Sequence, residues 1–174
     1  MTGNWRLRHA TAADAQAVAM VAGASFLETF AGILPGADIV VHCQRNSSPA
    51  KFAFWAEDRS SVVTVAEHPE GMAPVGYSLV TMPDLPVPAL PGDVELRRIY
   101  ALSITRSTGL GHSLMAAALE DARALGGRRL LLGVLGRNAR ARAFYEREGF
   151  QLAGARRFNV GAGWYDDVIY ARSL

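Results

Sequence analysis

The chain opens with WRLRH, where large apolar and basic residues alternate as on a half-buried strand, and then the period changes. Thr11 with Asp14 three residues on marks a helix start, and the apolar spacing beyond it predicts a helix over about residues 12–24. FLETF and AKFAFWAED keep helical spacing, but Gly32, Pro35, Gly36 and Pro49 interrupt it, so short helices joined by turns are expected as far as Asp58. SVVTVAE and VGYSLVTM are rich in β-branched residues and flank a loop holding Pro69, Gly71 and Pro74. They predict two antiparallel strands. PDLPVPALPG carries four prolines in ten residues and so lacks the N–H groups that a helix or an inner strand needs. It is expected to be a surface excursion.

From Asp93 the rhythm becomes strand (VELRRIYAL), helix (about 110–125), strand (RRLLLGVL) and helix (about 138–148). Such alternation indicates parallel strands joined by a crossover helix. Gly126 and Gly127 stop the first of these helices. GFQLAGARRFNV and WYDDVIYARSL then predict a strand hairpin turning at Gly161 and Gly163. The fold class is therefore mixed α+β around one central sheet.

Composition narrows the functional classes. With 174 residues, half of them apolar, the chain fits one domain spanning 1–174. A formal charge of +2, spread as scattered arginines, is not the footprint of a nucleic-acid binder, although small anionic ligands stay open. The single cysteine, Cys43, is read as a small filler and excludes an internal disulfide, and no Cys/His cluster has metal-ligand spacing. MTGNWRLRHATAADA holds no apolar leader, and no apolar run is long enough for a bilayer. A cytoplasmic protein with no membrane or nucleic-acid partner and no metal is expected.

Chemistry first suggests itself at RSTGLGHSLM, where Gly109 and Gly111 fall between a strand and a helix. The unpaired N–H groups of a helix start, with backbone that can approach closely, make a seat for phosphate. No Gly-Lys-Ser/Thr follows, and Leu114 stands where a dinucleotide fingerprint needs its third glycine, so neither of those nucleotide sites fits. After the next strand, NARARAFYEREGF opens a helix at Asn138, places Phe144 and Tyr145 in its later turns and closes it at Gly149.

Arg-x-x-Gly-x-Gly at Arg106 to Gly111, combined with Asn-x-x-Ala-x-x-Phe-Tyr-x-x-x-Gly-Phe at Asn138 to Phe150, resembles the GNAT family of acetyl-CoA-dependent N-acetyltransferases. The resemblance implies a sheet of about seven strands flanked by helices, with parallel strands 4 and 5 splayed to admit the coenzyme. It implies that the amides of Ser107, Thr108, Gly109, Leu110 and Gly111, with Arg106 and His112 beside them, hold the pyrophosphate. Backbone groups of Ile99 and Ala101, with Tyr100 between them, would pair with the pantetheine arm, and the Ala101 N–H would face the thioester oxygen. Asn138 would bond that arm as well as cap its helix. Arg137, Arg140 and Arg142 are either helpers of the 3′-phosphate or a solvated helix face, with Arg142 paired to Glu146.

An ammonium must lose a proton before it can attack a thioester. Glu95 is the candidate base, with pairing to Arg97 or Arg98 as its alternative; Tyr145 is the candidate acid toward the departing sulfur, with a core aromatic as its alternative. His9, His42 and His68 have no partners at a suggestive spacing. Within the family, SFLETF, IYAL, GLGHSLM and the tail ARRFNVGAGWYDDVIYARSL resemble bacterial polyamine acetyltransferases. That resemblance implies an acceptor site walled by Phe26, Phe30 and the proline-rich loop, with carboxylates from Glu28, Glu95, Asp166 and Asp167. Arg97 conflicts with it, since by strand alternation it shares a face with Glu95 and would repel a polycation. Protein lysine or N-terminal acetylation and a non-catalytic acyl-CoA sensor stay open, as does a homodimer built on the apolar WYDDVIY strand.

Overall fold

The computed structural model describes residues 5–174. The opening MTGN of the segment read for a leader lies outside the described residues. Strands β1 (Arg6–His9), β2 (Val62–Glu67), β3 (Pro74–Thr81), β4 (Asp93–Ala101), β5 (Arg129–Leu135), β6 (Gln151–Val160) and β7 (Gly163–Ser173) form one sheet in the order β1-β2-β3-β4-β5-β7-β6. Only β4 and β5 run parallel; every other neighbouring pair is antiparallel. Among the described residues the α-helices are α1 (Ala15–Phe30), α2 (Gly36–Asn46), α3 (Pro49–Glu57), α4 (Leu110–Ala124) and α5 (Ala139–Arg147).

The helix expected over 12–24 is longer than the pattern implied. A single 3₁₀ turn, Ala12–Asp14, leads into α1, which continues through FLETF to Phe30. Asp14 reaches back to the Thr11 N–H at 2.8 Å and bonds both Arg8 guanidinium nitrogens, at 2.9 and 2.7 Å, so the start is fixed to β1. Ser25, buried in mid-helix, donates to the Val21 carbonyl at 2.7 Å and leaves no polar group stranded. The helix α3 opens with Ser48 capping Lys51 and Pro49 at the first helical position, so the proline expected as an interruption starts the helix. The hairpin between β6 and β7 turns where expected, with Val160 opposite Gly163.

Two cores lie on opposite faces of the sheet. On one, Met115, Ala118 and Ala122 of α4 and Tyr145 of α5 pack on Leu96, Leu130, Leu132 and Tyr170. On the other, Val18, Val21 and Ala22 of α1 and Phe52 and Trp55 of α3 pack on Val63, Val65, Tyr77 and Leu79. Each fully buried aliphatic side chain contributes about 1.5–3 kcal/mol. The proline-rich excursion of 83–92 forms no helix or strand, as expected, yet it is not wholly on the surface. Leu85 is buried against Leu131 and Ile169, and this pins the loop over β5 and β7.

Two departures from ideal pairing shape the centre. First, β4 and β5 pair only at Asp93 with Arg129, Val94 with Leu130 and Glu95 with Leu131; beyond that β5 pairs with β7 alone. A seam therefore opens between the second half of β4 and the end of β5. Second, Leu79 faces Arg98 while Val80 faces Leu96, so Arg97 is the extra residue of a β-bulge.

Candidate active site

The seam is lined first by backbone. Leu102 donates to the Val75 carbonyl at 2.9 Å, so the alternation of strand groups turns Tyr100 toward β3 as well. The N–H and C=O of Ile99 and Ala101 then point the other way, into the open seam. Those are the two residues expected to pair with a pantetheine arm. The main-chain groups of Tyr100 do not line that edge. Its ring lies on the α1 side, stacked on Tyr77 at 6.0 Å between centroids.

At the mouth of the seam the chain turns into α4. Gly109 is the helix cap at φ 86°, a left-handed value that only glycine adopts without strain, and Ser107 also has positive φ at 62°. Successive turns of this kind aim amides into one concavity. Among the described residues the N–H groups of Gly109, Leu110, Gly111 and His112 have no backbone acceptor, and α4 adds its positive end. The Thr108 N–H differs from expectation, because it is spent on the Thr105 carbonyl at 3.3 Å. Arg106 is exposed beside the turn. The His112 imidazole bonds Glu148, the residue just after α5, at 2.9 Å and so braces the end of that helix against the start of α4.

Across the seam, the Asn138 side chain accepts from the Ala141 N–H at 3.1 Å, which makes it the α5 cap and leaves its amide N–H groups available. Arg142 does not pair with Glu146 directly. Its guanidinium donates to the Tyr170 hydroxyl at 3.1 Å and the Gly136 carbonyl at 3.2 Å, and Tyr170 donates to Glu146 at 2.6 Å. It is thus committed inside the protein, whereas Arg137 and Arg140 are exposed.

Tyr145 is 9% exposed and held by the rings of Phe144, Phe150 and Tyr170, at 5.4, 6.0 and 6.4 Å. Burial pushes its phenol well above the usual tyrosine range, and the nearby Tyr100 phenol adds to the rise. It remains protonated at any physiological pH. Glu95 is 5% exposed and stands at the last paired position before the seam opens. It accepts the Asp84 N–H at 2.8 Å and has the Arg97 guanidinium at 3.5 Å, so the sequence alternative of pairing with Arg97 is realised alongside any catalytic use.

The expected acceptor carboxylates are all engaged. Glu28 accepts both the N–H and the hydroxyl of Ser103, at 2.8 and 2.9 Å, and anchors the turn leading to Arg106 instead of facing an acceptor. Asp167 is buried and bonded to Arg156 at 3.2 Å; burial raises its carboxyl above the usual range and Arg156 opposes the rise. Asp166 is exposed beside Arg157 at 3.8 Å. Phe26 and Phe30 do come together, at 4.4 Å, with His42 stacked on Phe26 at 4.3 Å. His9 also has a partner that spacing did not reveal, Asp121 of α4 at 2.7 Å. Cys43 is half-buried, and burial raises its thiol, as suits a filler.

Sequence reasoning missed Arg98, which the bulge turns onto the α1–α3 face. Its guanidinium lies over Trp55 at 5.1 Å and Phe52 at 5.8 Å and donates to Ser47 at 3.2 Å. A signal was present: tandem arginines inside an otherwise alternating strand break the period and are what a bulge looks like in one dimension.

A parallel pair that parts beside a glycine-capped helix is the architecture of an acyl-coenzyme A transferase, and the comparisons with known proteins agree. The sequence profile of the acetyltransferase (GNAT) family matches residues 33–150. Uncharacterised N-acetyltransferases of Mycobacterium bovis and Mycobacterium tuberculosis are 32% identical over 161 residues, covering 92% of this chain and 98% of theirs. The PaiA N-acetyltransferase of Thermoplasma acidophilum, solved with coenzyme A, superposes with a TM-score of 0.79 at 18% identity, covering 98% of this chain and 99% of that one. A putative acetyltransferase of Salmonella typhimurium, YncA, solved with acetyl-CoA, gives 0.74 at 22% identity over 99% and 95%. The chain belongs to the GNAT family of acetyl-CoA-dependent N-acetyltransferases. Among the described residues no helix is long and apolar enough to cross a membrane.

Proposed function

We propose that the protein acetylates a primary amine directly from acetyl-CoA, with both molecules bound at once on either side of the seam. The observation that carries this reading is the meeting of three features: free backbone groups at Ile99 and Ala101, unpaired amides at Gly109 to His112, and the buried Glu95 carboxylate at the last paired position before the strands part. The bound coenzyme supplies an activated acyl carbon and a thiol leaving group. Ile99 and Ala101 orient it, the glycine turn neutralises its phosphates, and the Ala101 N–H favours negative charge at the acyl oxygen.

Glu95, at the closed end of the seam, removes a proton from the incoming ammonium, directly or through water. The new bond joins the amine nitrogen to the acyl carbon, the carbon–sulfur bond breaks, and one proton is released overall. Tyr145 donates toward sulfur. A thiol has a pKa of about 8.5, so a phenol raised above about 10 favours hydrogen-bond donation over complete transfer. A polyamine acceptor, read from the tail motifs, would need to displace Ser103 from Glu28 and Arg156 from Asp167, and it is the weaker reading. The lone half-buried cysteine suits a cytoplasmic setting.

A thiol-release assay with acetyl-CoA against a panel of amines tests the proposal. Amine-dependent release at rates far above the blank is expected. Tight coenzyme binding without release for any amine would instead support a non-catalytic acyl-CoA sensor.

A further inference from the structure

The acceptor side of the seam has an uneven balance of charge. Three of the acids on it are engaged, Glu95 by the Asp84 N–H and Arg97, Asp167 by Arg156 and Glu28 by Ser103, while Asp38 of α2 lies farther out beside the β6–β7 turn. The cations are not matched. Among the described residues Arg98 takes part in no ion pair, although it is half-buried; it is held by two aromatic faces and the Ser47 hydroxyl. Arg97, 29% exposed, has carboxylate oxygens no nearer than 3.5 Å, and its Nε is buried with no partner. An unsatisfied guanidinium N–H away from water is costly, and the Arg98 guanidinium on the next residue, which has no carboxylate partner, adds repulsion. An arrangement of this kind is relieved by an anion that accepts from both.

Regular alternation would have put Arg97 and Arg98 on opposite faces. The bulge brings them onto one, with Arg97 leaning under the proline-rich loop toward Asp84 and Arg98 leaning onto α3. Val160, at the end of β6, packs on Phe26, Leu34 and Ile39.

We propose that the acceptor is a small amine that also carries a carboxylate, and that Arg97 and Arg98 hold that carboxylate while the amine faces the seam. The proposal rests on the transferase reading of the seam and names its substrate class. Arg98 stacks on its rings and presents an edge for paired hydrogen bonds; Arg97 adds its charge and its partly exposed terminal nitrogens beside it.

The test is the kcat/KM of wild-type protein and of Arg98→Gln, Arg98→Lys and Arg97→Gln on matched amines. The panel holds α-amino acids, β-alanine and 4-aminobutyrate, each beside the corresponding amine without its carboxylate, with spermidine as a polycation. Wild-type protein should prefer at least one carboxylate-bearing amine by about 10- to 100-fold, the range of a charge-assisted hydrogen bond. Arg98→Gln should reduce that ratio to about one through KM, and Arg98→Lys should restore part of it. Preference for spermidine or for the amines lacking a carboxylate overturns the proposal, as does a ratio unmoved by Arg98→Gln. Melting temperature and coenzyme affinity of each variant report folding; should Arg98→Gln not fold, Arg98→Lys and Arg97→Gln carry the test. If no amine is turned over, calorimetry of the panel on coenzyme-loaded protein separates the two readings. Carboxylate-dependent binding that the variants weaken supports the anion site while the transfer reading fails; no such binding overturns the site too.

Discussion

The two sides of the seam are built on different principles. The coenzyme side is made of main chain: amides of Ile99 and Ala101 along β4, and the glycine turn that caps α4. The proposed acceptor side is made of side chains from α1, α2, α3, β4, the proline-rich loop and the β6–β7 hairpin. Backbone geometry depends on a few glycines and a pairing register, so many sequences can preserve it. A side-chain wall is specific to one chain and sets what it accepts.

Substitutions can break or sharpen that contrast. The largest expected effect crosses the seam: Tyr145→Phe removes the donor toward sulfur and should lower kcat by about 10- to 1,000-fold, within the span of acid catalysis. Coenzyme affinity measured by calorimetry should stay nearly constant, because the ring and its packing survive. On the main-chain side, Gly109→Ala forces a Cβ into a left-handed cap, at a cost of about 1–2 kcal/mol. Misdirected amides there should weaken coenzyme binding by about 10-fold or more and leave the preference among amines unchanged.

On the acceptor side, Glu95→Gln should lower activity about 10-fold near neutrality, a loss that shrinks as pH rises and the amine deprotonates unaided. A pH-independent loss in the rate profile would assign Glu95 to positioning the Asp84 loop. The smallest effect concerns stability. Burial, with Arg98 nearby, holds His42 down to about 4 from its ordinary 6.5, so the folded state keeps the ring neutral. Above 6.5 both states are neutral and this stability is fully present. As pH falls from 6.5 toward 4 the unfolded chain takes up a proton that the folded one refuses, and stability declines. Urea unfolding should show that slope, and His42→Phe, which keeps the stack on Phe26, should lose it.

The same contrast explains what the sequence made legible. Strand, glycine turn and crossover helix follow from local period and from the few residues that allow a left-handed cap, so Gly109 and Gly111 stood out by spacing, while Ile99, Ala101 and Asn138 were pointed to by the family resemblance. The acceptor wall could not. Glu28, read as a substrate carboxylate, is drawn to Ser103, 75 residues away, and Asp167 is matched to Arg156 only through the β6–β7 register. Thr108 lost its predicted role to a turn hydrogen bond made within three residues. Arg98 was hidden because alternation assigns it a face, and the bulge that reverses the assignment depends on the partner strand β3.

The most direct measurement is amide hydrogen exchange on the protein with and without coenzyme A. Tyr100 and Leu102, already bonded to β3, should be protected in both states, while Ile99, Ala101 and Gly109 to His112 should exchange quickly when free and slow sharply when loaded. Coenzyme binding that leaves those six amides as fast as before would contradict the account, since the carrier would then be held somewhere other than the seam.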